Sequence, residues 1–146
     1  MKKFLGFIAL ALWAFVSVNA GDKVTRNVSK LPAEAQKSIS SNFPGQEISY
    51  IKIDRELLKG TIYEVVLVNG TEVDFTSNGQ WKEVDCKKSA VPNAFIPVEI
   101  STYVKNNFAG KFIKRIERET RHYDVELNNG LDLKFDLKGN LKYIDD

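Results

Sequence analysis

The alternation of apolar and polar positions along this chain is written twice. From Tyr63 to Asp85 the apolar side chains fall at Tyr63, Val65 and Leu67, then Val73 and Phe75, then Trp81. From Tyr123 to Asp145 the same spacing returns without a gap as Tyr123, Val125, Leu127, Leu133, Phe135 and Leu141. A period of two marks strands with one buried face. Identical residues at Asn69/Asn129, Gly70/Gly130, Gly79/Gly139, Lys82/Lys142 and Asp85/Asp145 fix the correspondence.

Register follows from this pattern. A two-residue Asn69-Gly70 turn would set Val65 against Asp74 and put acids among the apolar set, which a buried face does not tolerate. A three-residue Val68-Asn69-Gly70 loop pairs Leu67 with Thr71, Val65 with Val73 and Tyr63 with Phe75. It also puts glycine where a type I turn with a bulge needs a left-handed residue. The same loop in the second stretch pairs Tyr123 with Phe135, and the following turns set Phe75 against Trp81 and Phe135 against Leu141.

A different period precedes each stretch. Leu31, Ala35, Ile39 and Phe43 are spaced by four, as are Ile96, Ile100, Val104 and Phe108, so each set lines one face of an α-helix. Pro32 and Pro97 suit the first helical position, Glu34 and Glu99 favour the positive helix end, and Gly45 and Gly110 mark the stops. Strands are expected from Ile48 to Arg55 and from Phe112 to Glu119. The first copy carries an insertion around Glu56-Leu57-Leu58-Lys59-Gly60 at a hairpin tip, a place for divergence and specificity. Residues 21–30 have no strong period and read as a polar leader.

The predicted fold is α+β: tandem αββββ repeats forming an antiparallel sheet with two helices packed on one face. The chain divides into residues 1–20, a first repeat over 21–88 and a second over 89–146. Residues 1–20 read as a secretory signal: Lys2 and Lys3, an apolar run from Phe4 to Val18, and a cut after Ala20. Export to the periplasm or outside the cell follows. Without Lys2 and Lys3, 19 basic residues face 19 acidic ones, so no general attraction to nucleic acid or anionic membrane is expected.

The alternate positions form the sheet face that no helix is expected to cover. In the first copy they include Val66, Val68 and Val84 among Glu64, Glu72, Asp74 and Lys82; in the second, Asp124, Glu126, Lys134, Asp136, Lys142 and Ile144. Val66 and Val68 suggest a weakly apolar docking patch. Lys111, Lys114, Arg115, Arg118 and Arg121 crowd one strand of the second copy, a basic strip suited to an acidic partner. Candidate binding residues are therefore Val66, Val68, Glu72, Asp74, Lys82, Arg115, Arg118, Lys134 and Lys142.

Catalytic chemistry is poorly represented. Cys86 is the only cysteine and His122 the only histidine, and no zinc-protease, CxxC or phosphate-loop motif occurs. No catalytic residue, metal site or cofactor is assigned, and no internal disulfide is possible. The doubled helix-and-four-strand unit, with its Leu-Pro…Phe-(Pro/Ala)-Gly helices and glycine-marked hairpins, resembles the PepSY-like family of exported bacterial proteins, similar in fold to β-lactamase-inhibitor proteins. That resemblance implies helices on one side of the sheet and a concave open face, which in the inhibitor relatives grips an enzyme. It supplies no catalytic residues. The expected function is an exported, non-enzymatic module that binds a protein or peptide of the cell envelope through the open sheet face, whether or not binding inhibits that partner. The alternative is a small-ligand or metal-binding envelope protein using the cleft between the repeats.

Overall fold

The computed structural model describes residues 22–56, 58 and 60–146. The expected signal segment, and Leu57 and Lys59 of the Glu56–Gly60 tip, lie outside the described residues. In chain order the elements are β1 (Lys23–Thr25), α1 (Ala33–Asn42), β2 (Ile48–Glu56), β3 (Gly60–Leu67), β4 (Glu72–Phe75), β5 (Trp81–Asp85), α2 (Val98–Asn107), β6 (Ile113–Arg118), β7 (His122–Leu127), β8 (Asp132–Asp136) and β9 (Leu141–Asp145). Among the described residues the strands form one nine-stranded sheet in sequence order, antiparallel throughout. No helix among the described residues is long and apolar enough to cross a membrane.

The expected hairpin registers are those observed. Tyr63 stands opposite Phe75 and Val65 opposite Val73, while Tyr123 faces Phe135 and Val125 faces Leu133. Leu67 N–H donates to Thr71 O at 2.8 Å and Leu127 N–H to Leu131 O at 2.9 Å, closing equivalent loops. Gly70 and Gly130 both adopt φ 89°, the left-handed conformation that an L side chain resists.

The apolar faces meet in a single core. Ala35 and Ile39 from α1 and Ile100 and Val104 from α2 pack with Ile51, Val65, Val73, Phe75, Val125, Leu133 and Phe135 of the sheet. The helix stripe is as expected. Pro32 and Pro97, however, occupy the N-cap positions rather than the first helical turn. Their extended ψ of 146° and 138° brings the chain into the helix from a strand-like direction.

Three features differ from the sequence reading. The leader is ordered: Lys23–Thr25 pairs with β2, and Val28–Lys30 forms a 3-10 turn started by Asn27, whose side chain accepts from Ser29 N–H at 3.0 Å. A strand this short needs no long apolar alternation and leaves no periodic signal. Second, the ladders of the two halves slip at equivalent places, between Ile48 and Tyr50 as between Ile113 and Arg115, and beside Phe75 as beside Phe135. Each slip is a bulge that inverts the facing of every later residue in its strand. Third, the junction between the halves is filled. Phe95 stacks on Phe43 at 6.0 Å and meets Trp81 edge-on at 5.7 Å. The Arg118 guanidinium lies 4.8 Å from the centre of the Trp81 ring and donates to Trp81 O at 2.8 Å.

Candidate functional site: the uncovered sheet face

The bulges change which side chains the open face presents. Phe75 pairs with Trp81 and Asp74 with Glu83, so Lys82 is the extra residue and Val84 returns to the core side, where it is fully buried. Placing Val84 in the alternating set of the open face was therefore incorrect, whereas the Lys82 charge does act on the open-face Asp74 carboxyl. Likewise Lys134 pairs with Tyr143, Lys142 lies at the slip, and Ile144 shares the helix side with Leu133. Lys142 reaches Asp136 at 3.4 Å.

Arg118, Val66 and Val68 depart from expectation for different reasons. Arg118 pairs with Tyr123 and covers Trp81 on the helix side, away from the open face. Val66 does lie on the open face, between Tyr50 and Glu72, but it is only 9% exposed. Val68 is 66% exposed in the turn after β3. The two valines do not form an apolar patch.

Glu72, Asp74, Arg115 and Lys134 remain on the face, in two rows running across the strands. In one row Tyr50, Val66, Glu72, Asp85, Arg115, Glu126, Asp132 and Asp145 are successive cross-strand partners from β2 to β9. The neighbouring row contains an unbroken acidic run over β3 to β7: Glu64, Asp74, Glu83, Glu117 and Asp124, with Lys52 before it and Lys134 after it. Adjacent strands bring their facing Cβ atoms to roughly 5 Å, so like charges directly opposite repel.

The basic residues near this run are engaged by acids of the two rows. Arg115 Nε donates to Glu83 Oε1 at 2.6 Å, and its Nη2 donates to Glu117 Oε2 at 3.1 Å. Lys114 Nζ reaches Glu126 at 2.7 Å, and Lys87 bridges Asp85 at 2.9 Å and Glu72 at 3.1 Å. The basic strip is thus divided between the two faces and neutralised in part by carboxylates.

Proton affinities follow from this crowding. Burial, with Glu83 and Glu64 as neighbours, pushes the Asp74 carboxyl up to about 8. Glu117 rises to about 7, through burial and then its bond with Glu119 and the charge of Glu83. Glu64 and Asp132 are also raised, burial being the larger cause in each. For Arg115, burial alone would lower the proton affinity; the bond to Glu83 and the charges of Glu83, Glu117 and Asp85 together outweigh it, and the group stays charged.

No Cys–His pair forms. Cys86 is buried in the helix-side core, whereas His122 stands opposite Asp136 on the other face and approaches Asp124 at 3.0 Å. Among the described residues, no group of three or more histidine, cysteine and acidic side chains is disposed to hold a metal ion. A shallow recess beside α2 is lined by Val91, Ile96, Val104, Phe108 and Phe112.

Glu83 and Glu117 were absent from the sequence-derived candidates. The only trace of the bulge that presents Glu83 is the lysine shared by Lys82 and Lys142.

The model of the PepSY-like, beta-lactamase-inhibitor-like family matches residues 61–143. The chain belongs to this family. A solved structure described as a proposed periplasmic protein of unknown function from Bacteroides vulgatus is 43% identical, with a TM-score of 0.82, covering 86% of this chain and 100% of its own. A second B. vulgatus structure, described as a proposed periplasmic protein of the DUF2874 family, is 36% identical with a TM-score of 0.82, covering 88% of this chain and 100% of its own. A third, described as a proposed calcium-regulated periplasmic protein from Bacteroides thetaiotaomicron, is 40% identical with a TM-score of 0.81, covering 86% of this chain and 97% of its own. No curated protein matched the chain. The periplasmic descriptions of these PepSY-like relatives agree with the location expected from the sequence.

Proposed function

We propose that this PepSY-like chain is an exported, non-enzymatic binding module whose open sheet face docks a cationic segment of a protein or peptide in the cell envelope. The observation that carries this reading is the acidic run from Glu64 to Asp124 across five strands. Carboxylates held at strand spacing on a preformed sheet give up their protons as a lysine or arginine docks among them, with little ordering left for the partner to impose. The earlier expectation of an acidic partner gives way, because Arg115 and Lys114 are already engaged by acids.

The test is capture from envelope extract by the wild-type protein and by a Glu64→Gln, Asp74→Asn, Glu83→Gln variant. Neutralisation relieves repulsion, so the variant should fold at least as well by circular dichroism while losing a capture that is salt-sensitive in the wild type. Capture unchanged in the variant would reject the surface. The same pair of proteins titrated with calcium tests a second reading, which is supported by the description of one relative as calcium-regulated.

A further inference from the structure

β5 and β9 are equivalent strands with unequal neighbours. Both follow a glycine turn, carry a lysine at the slip and end in aspartate (Lys82/Lys142, Asp85/Asp145), and both pair by their inner edge with the preceding strand. The outer edge of β5 receives β6: Glu83 faces Glu117, Val84 faces Ile116 and Asp85 faces Arg115. Cys86 N–H extends that ladder by donating to Lys114 O at 2.8 Å. Among the described residues no strand pairs with the outer edge of β9.

Side-chain burial records the difference. Val84 is 0% exposed, whereas its counterpart Ile144 is 45% exposed on the same side of the sheet. At the position of Cys86, Asp146 N–H bonds to the Asp145 carboxylate at 3.1 Å instead of to another strand. A bulge and an edge lysine often protect a sheet against further pairing. Here they do not block the site, because β5 carries both and still pairs with β6.

We propose that the outer edge of β9 takes up one more antiparallel strand from a partner protein, an extended segment in which a basic residue is followed directly by an aliphatic one. By the geometry of β5 and β6, the basic residue stands opposite Asp145 and the aliphatic one opposite Ile144. Main-chain bonds along the edge supply affinity, and these two side chains supply selection. A second copy of the chain fits less well. Its β1 edge turns Lys23 and Thr25, not aliphatic residues, to the helix side, opposite Ile53 and Ile51. Self-pairing of β9 about Ile144 sets Tyr143, not a cation, against Asp145.

The probe is a dye-labelled synthetic peptide with the sequence of residues 111–119, Lys-Phe-Ile-Lys-Arg-Ile-Glu-Arg-Glu, titrated against the full chain by fluorescence anisotropy. Saturable binding is expected, with slowed amide exchange along β9 and an affinity loss of about tenfold or more on Ile144→Lys. A charge swap guards against misfolding of that variant: Asp145→Lys should weaken the natural peptide and restore binding to a peptide carrying Arg115→Glu. Three results would overturn the proposal: absence of binding, binding indifferent to Ile144→Lys with exchange changes confined to β5 and β6, or a concentration-dependent dimer that Ile144→Lys dissolves. The edge is separate from the acidic run, so either proposal can fail alone.

Discussion

Asp74 and Glu83 face each other directly on β4 and β5 in the middle of the uncovered face. Half-buried carboxylates in this position share too little solvent to be charged together at low cost. Asp74 keeps its proton to about pH 8 in the folded protein, whereas in the unfolded chain it loses it near the ordinary 3.8. Between these values the folded state binds more protons, so stability is highest at the acid end and falls as pH rises. Glu117, raised to about 7, acts in the same direction. Thermal melts should show a midpoint falling by several degrees between about pH 5 and pH 8.5. Asp74→Asn should flatten that profile and gain on the order of 1 kcal/mol at the alkaline end. A midpoint rising through the same interval would contradict this account of the acidic run.

The ring contact between Phe95 and Trp81, closed on its other side by Arg118, ties the second half of the chain to the first. Phe95 is 3% exposed, so Phe95→Ala opens a cavity and should cost about 3–5 kcal/mol in chemical denaturation. Arg118→Gln keeps the core but loses the cation–ring contact and the bond to Trp81 O, for about 1–3 kcal/mol. Because the sheet is continuous, both variants should unfold in one transition. Two resolved transitions would mean that the halves are held together by less than this junction implies.

Two glycines with similar backbone angles should respond differently to alanine. Gly70 has φ 89° and open space around it, so Gly70→Ala meets only the left-handed strain, about 1–2 kcal/mol. Gly79 has φ 82° and lies under the first turn of α1, where an added Cβ would come within 2.9 Å of Glu34 Cβ and 3.2 Å of Ala35 N. Gly79→Ala should therefore lose a further 1–3 kcal/mol or so from overpacking. Gly139 meets Glu99 in the same way, so Gly139→Ala should follow Gly79→Ala and not Gly130→Ala. Equal losses at all four positions would separate the turn from the helix end.

Cys86 is 7% exposed, and burial pushes its thiol up to about 11. The thiolate is the reactive form, so the native protein should react with a disulfide reagent at neutral pH far more slowly than the unfolded chain, by a factor on the order of a hundred or more. Fast native labelling would show that the core around Cys86 opens readily.

The doubled pattern of Tyr, Val, Leu and Phe, the glycine loops and the two four-spaced helix stripes were sufficient to predict the α+β class, the hairpin registers and the helix-covered face. Local rules decide these features: a strand has period two, a helix face repeats near four, and a buried face excludes acids. The site was less legible. Counting alternate residues put Val84 and Ile144 on the open face and overlooked Glu83. One inserted residue beside Phe75 or Phe135 reverses the count, and the shared lysine at 82 and 142 is its only local trace. Cross-strand neighbours come from distant parts of the chain: Arg115 meets Glu83 across 32 residues and Arg118 meets Trp81 across 37. The sequence alone therefore determined the strands and helices of the two repeats and the buried face, but not β1. Tertiary pairing decided the outer face, because its charge depends on which strands lie side by side and where each ladder slips.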